Sequence, residues 1–259
     1  MPGAARAQRL VFGEVAELYH RSRPGYPPAA FDAIAEFSAI PRGASVLEVG
    51  AGTGHATAEL LKRGWRVLAL EPSQEMAHVA ARELAGHAQL EVVKREFERW
   101  RPGSRRFALV CSAQAWHWVD PRVRYAKAAR VLLPGGTLAL LWNRPKASVA
   151  EIAGRLEEEY RRWAPHLSAR PPGELDLDRR VEIAASGRFG PAQLIEFTWA
   201  RDYSGDEYVQ LMLTQSDHRM LEDRQRQQLM DGIAETIAAA GGQYRVEYLT
   251  LLYVAATPR

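Results

Sequence analysis

Residues 44–54, Ala-Ser-Val-Leu-Glu-Val-Gly-Ala-Gly-Thr-Gly, constrain this chain more than any other stretch. An apolar run (Val46, Leu47, Val49) breaks into glycines at positions 50, 52 and 54, and an alanine-rich helical pattern follows from His55 to Lys62. A buried strand feeding a glycine turn and then a helix lets the backbone pass very close to a ligand. The next strand-like run, Arg66 to Leu70, ends in Glu71, 21 residues after Gly50. That is the interval at which a carboxylate can accept hydrogen bonds from ribose hydroxyls. Strand, turn and acid together predict a site for a nucleoside-containing ligand.

Spacing decides which ligand. A dinucleotide turn needs a third glycine three positions after the second, and counting from Gly52 that position is His55. A phosphate-cradling loop needs a Lys-Ser/Thr pair after its glycines, and no lysine follows until Lys62. Glu48 instead brings negative charge to the turn, which suits a ligand with positive charge and no phosphate. S-adenosylmethionine has a sulfonium, an ammonium and no phosphate.

Strands and helices then alternate: strands 44–49, 66–70, 89–94, 106–112 and 136–142, with helices 53–63, 73–84 and 121–131. Alternation of this kind means a parallel sheet with helices on both faces. The continuously apolar runs at 107–111 and 137–142 suit strands buried on both sides. Ahead of them lie two helical patterns. One carries Phe12, Val15, Ala16 and Tyr19 on one face and stops at Arg23-Pro24-Gly25-Tyr26-Pro27-Pro28, and the other spans 29–37. After Trp142 come a helix over 148–163, a proline-containing stretch at 165–173, helices over 205–215 and 219–240, and strands over 192–200 and 244–255. The expected division is an amino-terminal segment 1–43 covering the cofactor, a core over 44–145, and a carboxyl-terminal part over 146–259 adding strands and a cap within the same domain.

Composition narrows the function classes. The net charge is only +3 and the basic residues fall in pairs, such as Arg105-Arg106 and Arg161-Arg162, with acids interspersed. Solvated faces explain this better than a nucleic-acid footprint. No apolar run approaches the length of a membrane span, and no signal-peptide apolar core opens the chain. The single cysteine, Cys111, lies in an apolar strand pattern and fits a reducing cytoplasm. No His, Cys or paired-carboxylate cluster has metal-ligand spacing, so no metal is expected.

The chain resembles the class I S-adenosylmethionine-dependent methyltransferases over nearly its whole length. The resemblance rests on Val-Leu-Glu-Val-Gly-Ala-Gly-Thr-Gly, Leu-Ala-Leu-Glu-Pro-Ser-Gln-Glu-Met at 68–76, the strand at 107–112, and Leu-Leu-Pro-Gly-Gly-Thr-Leu at 132–138. The amino-terminal Phe12…Arg23-Pro24-x-Tyr26-Pro27 pattern and Ala115-Trp116-His117-Trp118-Val119-Asp120 resemble the trans-aconitate-type branch of small-molecule methyltransferases. The resemblance implies an α/β fold: a Rossmann-like, doubly wound, mostly parallel seven-stranded sheet with helices on both faces and a helical cap. It implies Gly50, Ala51 and Gly52 beside the methionyl part of the cofactor, Glu48 near its ammonium, and Glu71, followed by Pro72, on the ribose. Met76 would lie on the adenine face or simply in the core, with Glu96 and Phe97 at the adenine edge and Ser112 and Ala113 bordering the methyl group. Tyr19 and Arg23 would fold over the cofactor, the arginine pairing with its carboxylate, or else form an ordinary packed helix end.

Methyl transfer from a sulfonium needs positioning and exclusion of water more than acid–base chemistry. Trp116 and Trp118 are expected to wall the acceptor pocket. His117 is expected either to take a proton from the nucleophile or to hydrogen-bond an acceptor oxygen; packing of the loop is the alternative. A carboxylate acceptor needs no base, and Arg144, just after the fifth strand, is the preferred cation to hold it, ahead of Arg201, His218 and Arg219. Tyr203 and Trp199 are expected to pack their strand, and His55 to cap its helix. The reading is methyl transfer to an oxygen or carboxylate of a small molecule. The alternatives are an NAD(P)-dependent oxidoreductase, a nucleoside-binding protein without transfer activity, and a nucleic-acid methyltransferase. The last is disfavoured by Ser112-Ala113-Gln114-Ala115, where such enzymes carry an Asn/Asp-Pro-Pro-aromatic signature.

Overall fold

A computed structural model describes residues 15–146, 150–168 and 178–259. Phe12, the start of the helix expected at 148, and residues 169–173 of the proline-containing stretch lie outside the described residues. In chain order the elements are α1 (Ala16–Ser22), α2 (Pro28–Ser38), β1 (Ser45–Val49), α3 (His55–Lys62), β2 (Arg66–Glu71), α4 (Gln74–Glu83), β3 (Leu90–Lys94) and β4 (Phe107–Ala113). They continue with α5 (Arg124–Val131), β5 (Leu132–Lys146), α6 (Ala150–Trp163), α7 (Pro165–Ser168), α8 (Arg179–Ala185), β6 (Gln193–Ser204), α9 (Gly205–Leu213), α10 (Ser216–Arg219), α11 (Asp223–Ala239) and β7 (Gln243–Ala256).

The seven strands form one sheet in the order β3-β2-β1-β4-β5-β7-β6. Four pairings, β3 with β2, β2 with β1, β1 with β4 and β4 with β5, are parallel. The last strand reverses. As the chain advances from Thr250 in β7 to Thr257 just past its end, the partners on β5 fall from Asn143 to Gly136, so these two run antiparallel. The sheet is thus mostly parallel, as expected, with chain order reversing between β1 and β4. In such sheets ligands bind outside the carboxyl ends of the strands at that reversal.

By its internal contacts the chain divides into two units. The larger comprises 25–143, 177–197 and 250–259, and the smaller comprises 1–24, 144–176 and 198–249. In this division α2 groups with the larger unit while α1 belongs to the smaller, and the end of β7 groups with the larger unit. In the larger unit, successive strand residues point to opposite faces. Leu47, Val49, Leu68, Leu70, Val110 and Leu138 pack with Tyr125, Ala128 and Val131 of α5 and Ile183 of α8. Val46, Val67, Ala69, Leu109, Cys111 and Ala139 pack on the other face with Phe31 and Ile34 of α2 and Leu60 of α3. Cys111 is fully buried there, and burial pushes its thiol well above the usual range, so it is an inert core residue.

The smaller unit has its own core. Leu211, Leu229, Met230, Ile233 and Ile237 from α9 and α11 meet Leu156 of α6 and Tyr203, Tyr244 and Tyr248 of the strand segments. Tyr203 and Tyr248 join their hydroxyls at 2.7 Å, and Trp199 stacks on Tyr248 at 4.5 Å, the strand packing expected of Trp199 and Tyr203. Ser204 and Glu207 cap α9 reciprocally, each side chain bonding the other's backbone N–H, which satisfies two donors at the helix start. The long helix expected over 219–240 is two, α10 and α11, separated by Met220, Leu221 and Glu222.

Candidate active site

The parallel strands bring the motif residues to one edge. The pair Val49–Leu70 brings Gly50 level with Glu71, and the pair Glu48–Cys111 brings it level with Ala113. Gly50 N–H and Ala51 N–H both donate to Leu70 C=O, at 2.9 and 3.1 Å, tying the turn to the end of β2. Gly50 has φ +74°, and a Cβ there would sit 2.3 Å from Ala115 Cβ, so only glycine lets the loop after β4 close over the turn. At Gly52 (φ +58°) a Cβ would meet nothing within 4 Å: that side of the turn faces open space.

Two carboxylates frame the turn. Glu71 Oε2 accepts from Gly52 N–H at 2.9 Å, and its Oε1 accepts from Ser73 N–H at 2.9 Å. The carboxylate therefore orients the glycine turn itself. Ser73 Oγ in turn accepts from Met76 N–H and caps α4, which fixes the first turn of the helix that carries the buried Met76. Glu48 is 1% exposed. Its Oε2 accepts from Thr57 Oγ at 2.6 Å, whereas its Oε1 is buried without a hydrogen-bond partner. Burial, with a further contribution from the negative charge of Glu71, raises the Glu48 pKa to about 8 despite the Thr57 hydrogen bond. An orphaned buried carboxylate oxygen is costly, and an ammonium donor would relieve that cost. Thr57 was not among the residues singled out in the sequence. The strand-turn-helix pattern could have found it, since it carries position 57 back over the end of β1.

The remaining expected residues divide. Ser112 Oγ donates to Val49 C=O at 2.8 Å and, with Ala113, closes the carboxyl end of β4. Glu96 follows β3 and pairs with Arg99 at 3.1 Å. Phe97 is buried and packs on Trp116 with ring centres 6.0 Å apart. Trp116 corrects an expectation: it has no exposed surface and sits against Phe97 and Tyr125, so its indole is core and not a pocket wall. His117 and Trp118, by contrast, are partly exposed, with their rings 4.7 Å apart. Trp142 Nε1 donates to His117 Nδ1 at 3.4 Å.

Gln114, missed in the sequence, adopts φ +56° directly after β4. Its Nε2 donates to Asn143 C=O, while the Asn143 side chain donates to Gly25 C=O and accepts from Thr250 Oγ. A left-handed non-glycine residue costs about 1–2 kcal/mol, and these bonds hold it. A second network in the larger unit centres on Glu182, which accepts from Arg124, Arg179 and Tyr125 at 2.6, 2.6 and 2.7 Å.

In the smaller unit, Arg23 follows α1 and its N–H donates to Tyr19 C=O at 2.9 Å. Its guanidinium lies 5.0 Å from the Tyr19 ring centre, with Nη2 donating to Thr214 C=O and Gln215 Oε1. All its acceptors are neutral, so its charge meets no carboxylate among the described residues. Arg144 lies within β5, which runs on to Lys146, and so does not follow the strand as expected. His218 sits between Asp217 and Tyr160, at 2.8 and 2.7 Å, and is spent within its own unit. Arg201 lies over the Tyr203 ring at 4.7 Å. No described helix is long and apolar enough to cross a membrane.

Residues 46–136 match the methyltransferase domain family. An uncharacterised methyltransferase of Mycobacterium tuberculosis is 40% identical over 144 residues, 55% of this chain and 56% of that protein. The chain thus spans little more than half the length of that relative. An uncharacterised methyltransferase of Geobacillus kaustophilus is 31% identical over 180 residues, 65% of this chain and 79% of that protein. A candidate type II methyltransferase from Anaeromyxobacter dehalogenans shares the fold with a TM-score of 0.67 at 22% identity, covering 92% of this chain and 99% of that one. A doubly wound sheet with a glycine turn between two carboxylates at its reversal defines a nucleoside-cofactor protein. With these relatives, the chain belongs to the class I S-adenosylmethionine-dependent methyltransferases.

Proposed function

We propose that the protein transfers the methyl group of S-adenosylmethionine to an oxygen of a small-molecule acceptor, with a carboxylate the favoured nucleophile. The observation that carries this reading is Glu48 Oε1, buried and without a partner beside a glycine turn that opens on its other side. When bound, the cofactor supplies an activated methyl group on a sulfonium and the leaving thioether. Glu48 is suited to an ammonium and Glu71 to vicinal hydroxyls. A carboxylate accepts about four hydrogen bonds, so Glu71 can hold the glycine turn and a ribose together.

The residues of this chain then have three tasks. Gly50, Ala51 and Gly52 hold the backbone close to the cofactor. Ser112, Ala113 and the loop 114–118 border the reacting centre and limit water. Trp118 and His117 are the acceptor-facing side chains of that loop, a pocket face that excludes Trp116. Met76, Glu96 and Phe97 keep the roles that the resemblance implies. The assignment of cofactor residues to 44–145 and acceptor selection to the flanking segments belongs to the same proposal.

Titration calorimetry with S-adenosylmethionine and NAD, followed by transfer of a radiolabelled methyl group into a panel of carboxylic acids, hydroxylated compounds, amines and RNA, tests the reading. Binding of the first ligand alone and labelling of a carboxylic acid are expected. Labelling confined to RNA, or binding without labelling of any acceptor, contradicts it.

A further inference from the structure

We infer that Trp142 is a positioning residue that sets which nitrogen of His117 carries the proton, so that His117 presents an N–H and not a lone pair from Nε2. Indole Nε1 is a donor only, and it points at His117 Nδ1 from 3.4 Å. Nδ1 must therefore hold a lone pair. A neutral imidazole has one N–H, which then lies on Nε2.

The indole is held by two neighbours in the same unit. Trp142 is 2% exposed on β5 and meets Tyr253 edge-on, with ring centres 5.9 Å apart at 78°. The Arg179 guanidinium lies over its face at 5.0 Å, and Arg179 is itself fixed by Glu182 Oε1 at 2.6 Å. A cation on the ring face draws electron density from the indole, which strengthens the N–H as a donor. Glu182, Arg179, Trp142 and His117 form one chain of contacts within the larger unit, ending at the partly exposed loop after β4. Sequence alone cannot reveal it, because its members lie at 117, 142 and 179–182.

The consequence rests on the methyl-transfer reading. A ring with hydrogen on Nε2 cannot take a proton there from an attacking hydroxyl. It can donate to one oxygen of a carboxylate while the other attacks. The O–CH3 bond then forms as the C–S bond breaks, its electron pair passes to sulfur, and no proton changes hands. The acceptor class that matches this ring is a carboxylic acid, already ionised at neutral pH.

Nitrogen-15 spectra of histidine-labelled full-length protein, at a pH where the ring is neutral, test the assignment. The His117 signals are identified by their loss in His117→Gln. The expected spectrum has no hydrogen on Nδ1 and one on Nε2. Trp142→Phe, checked for folding by S-adenosylhomocysteine binding, is expected to raise the Nδ1–H form by about 2- to 10-fold, the range for loss of one neutral hydrogen bond. Should that variant fail to fold, benzothienylalanine at position 142, which replaces N–H by sulfur, makes the same comparison. A proton on Nδ1 in the wild type, or an unchanged tautomer ratio without the indole N–H, overturns the inference. No turnover is needed, so a chain that binds no cofactor yet shows this ring state fails only the methyl-transfer reading.

Discussion

Thr57 Oγ donates a 2.6 Å hydrogen bond to Glu48 Oε2, and it is the only hydrogen bond that the described residues give this buried carboxylate. With a pKa near 8, Glu48 is largely protonated at neutral pH until a cation arrives. Binding of an ammonium ligand is therefore expected to expel a proton. Calorimetry at pH 7 in two buffers of different ionisation enthalpy should report release approaching one proton per cofactor. Release should vanish in Glu48→Gln; an unchanged value in that variant would show that the proton comes from elsewhere.

The same pKa has a stability consequence with a definite sign. The folded state binds a proton at Glu48 that the unfolded chain, with an ordinary carboxyl near 4.5, has lost. Stability from this group is thus greatest below about pH 4.5 and falls as pH rises towards about 8. Glu48→Gln should make the unliganded protein more stable than wild type at pH 8, on the order of a few kcal/mol, and nearly equal to it at pH 4.5. Denaturant melts at the two pH values measure this difference.

Gly50→Ala places a methyl group 2.3 Å from Ala115 Cβ on a backbone with φ +74°. The left-handed strain alone costs about 1–2 kcal/mol, and displacement of the 114–118 loop adds to it. A fall in Tm of at least about 2–4 °C is expected, the shift per kcal/mol in a protein of this size, with weaker cofactor binding. Gly52→Ala, where a Cβ meets nothing, should lose only the strain component in the unliganded protein.

Glu182→Ala removes the carboxylate shared by Arg124 and Arg179, whose side chains are 3% and 1% exposed. Losing one partner of a buried ionic network costs about 3–5 kcal/mol. Chemical denaturation should show a loss of that order; a loss below about 1 kcal/mol would mean that the guanidiniums are satisfied without it.

The cofactor edge was legible in the sequence because it is local. Gly50, Gly52 and Glu71 lie on consecutive elements whose register follows from parallel pairing. Cys111 was legible as core for the same reason. Trp116 was not: its partners Phe97 and Tyr125 come from other elements, and a Trp-His-Trp loop reads equally well as a wall or as a wedge. The strand expected over 136–142 runs on through Lys146, so Arg144 lies within it. The strained Gln114 and its anchor Asn143 are set by hydrogen bonds to Gly25 and Thr250, more than a hundred positions from Asn143 in either direction. Local patterning carries no trace of such contacts.

The central claim is that Glu71 and the glycine turn bind S-adenosylmethionine, and its most direct measurement is S-adenosylhomocysteine affinity in wild type and Glu71→Ala. Charge-assisted hydrogen bonds to a carboxylate are worth about 1.5–3 kcal/mol, so the variant should bind about 10- to 150-fold more weakly, with NAD binding neither protein. Equal affinity in the two proteins, or preference for NAD, would contradict the account.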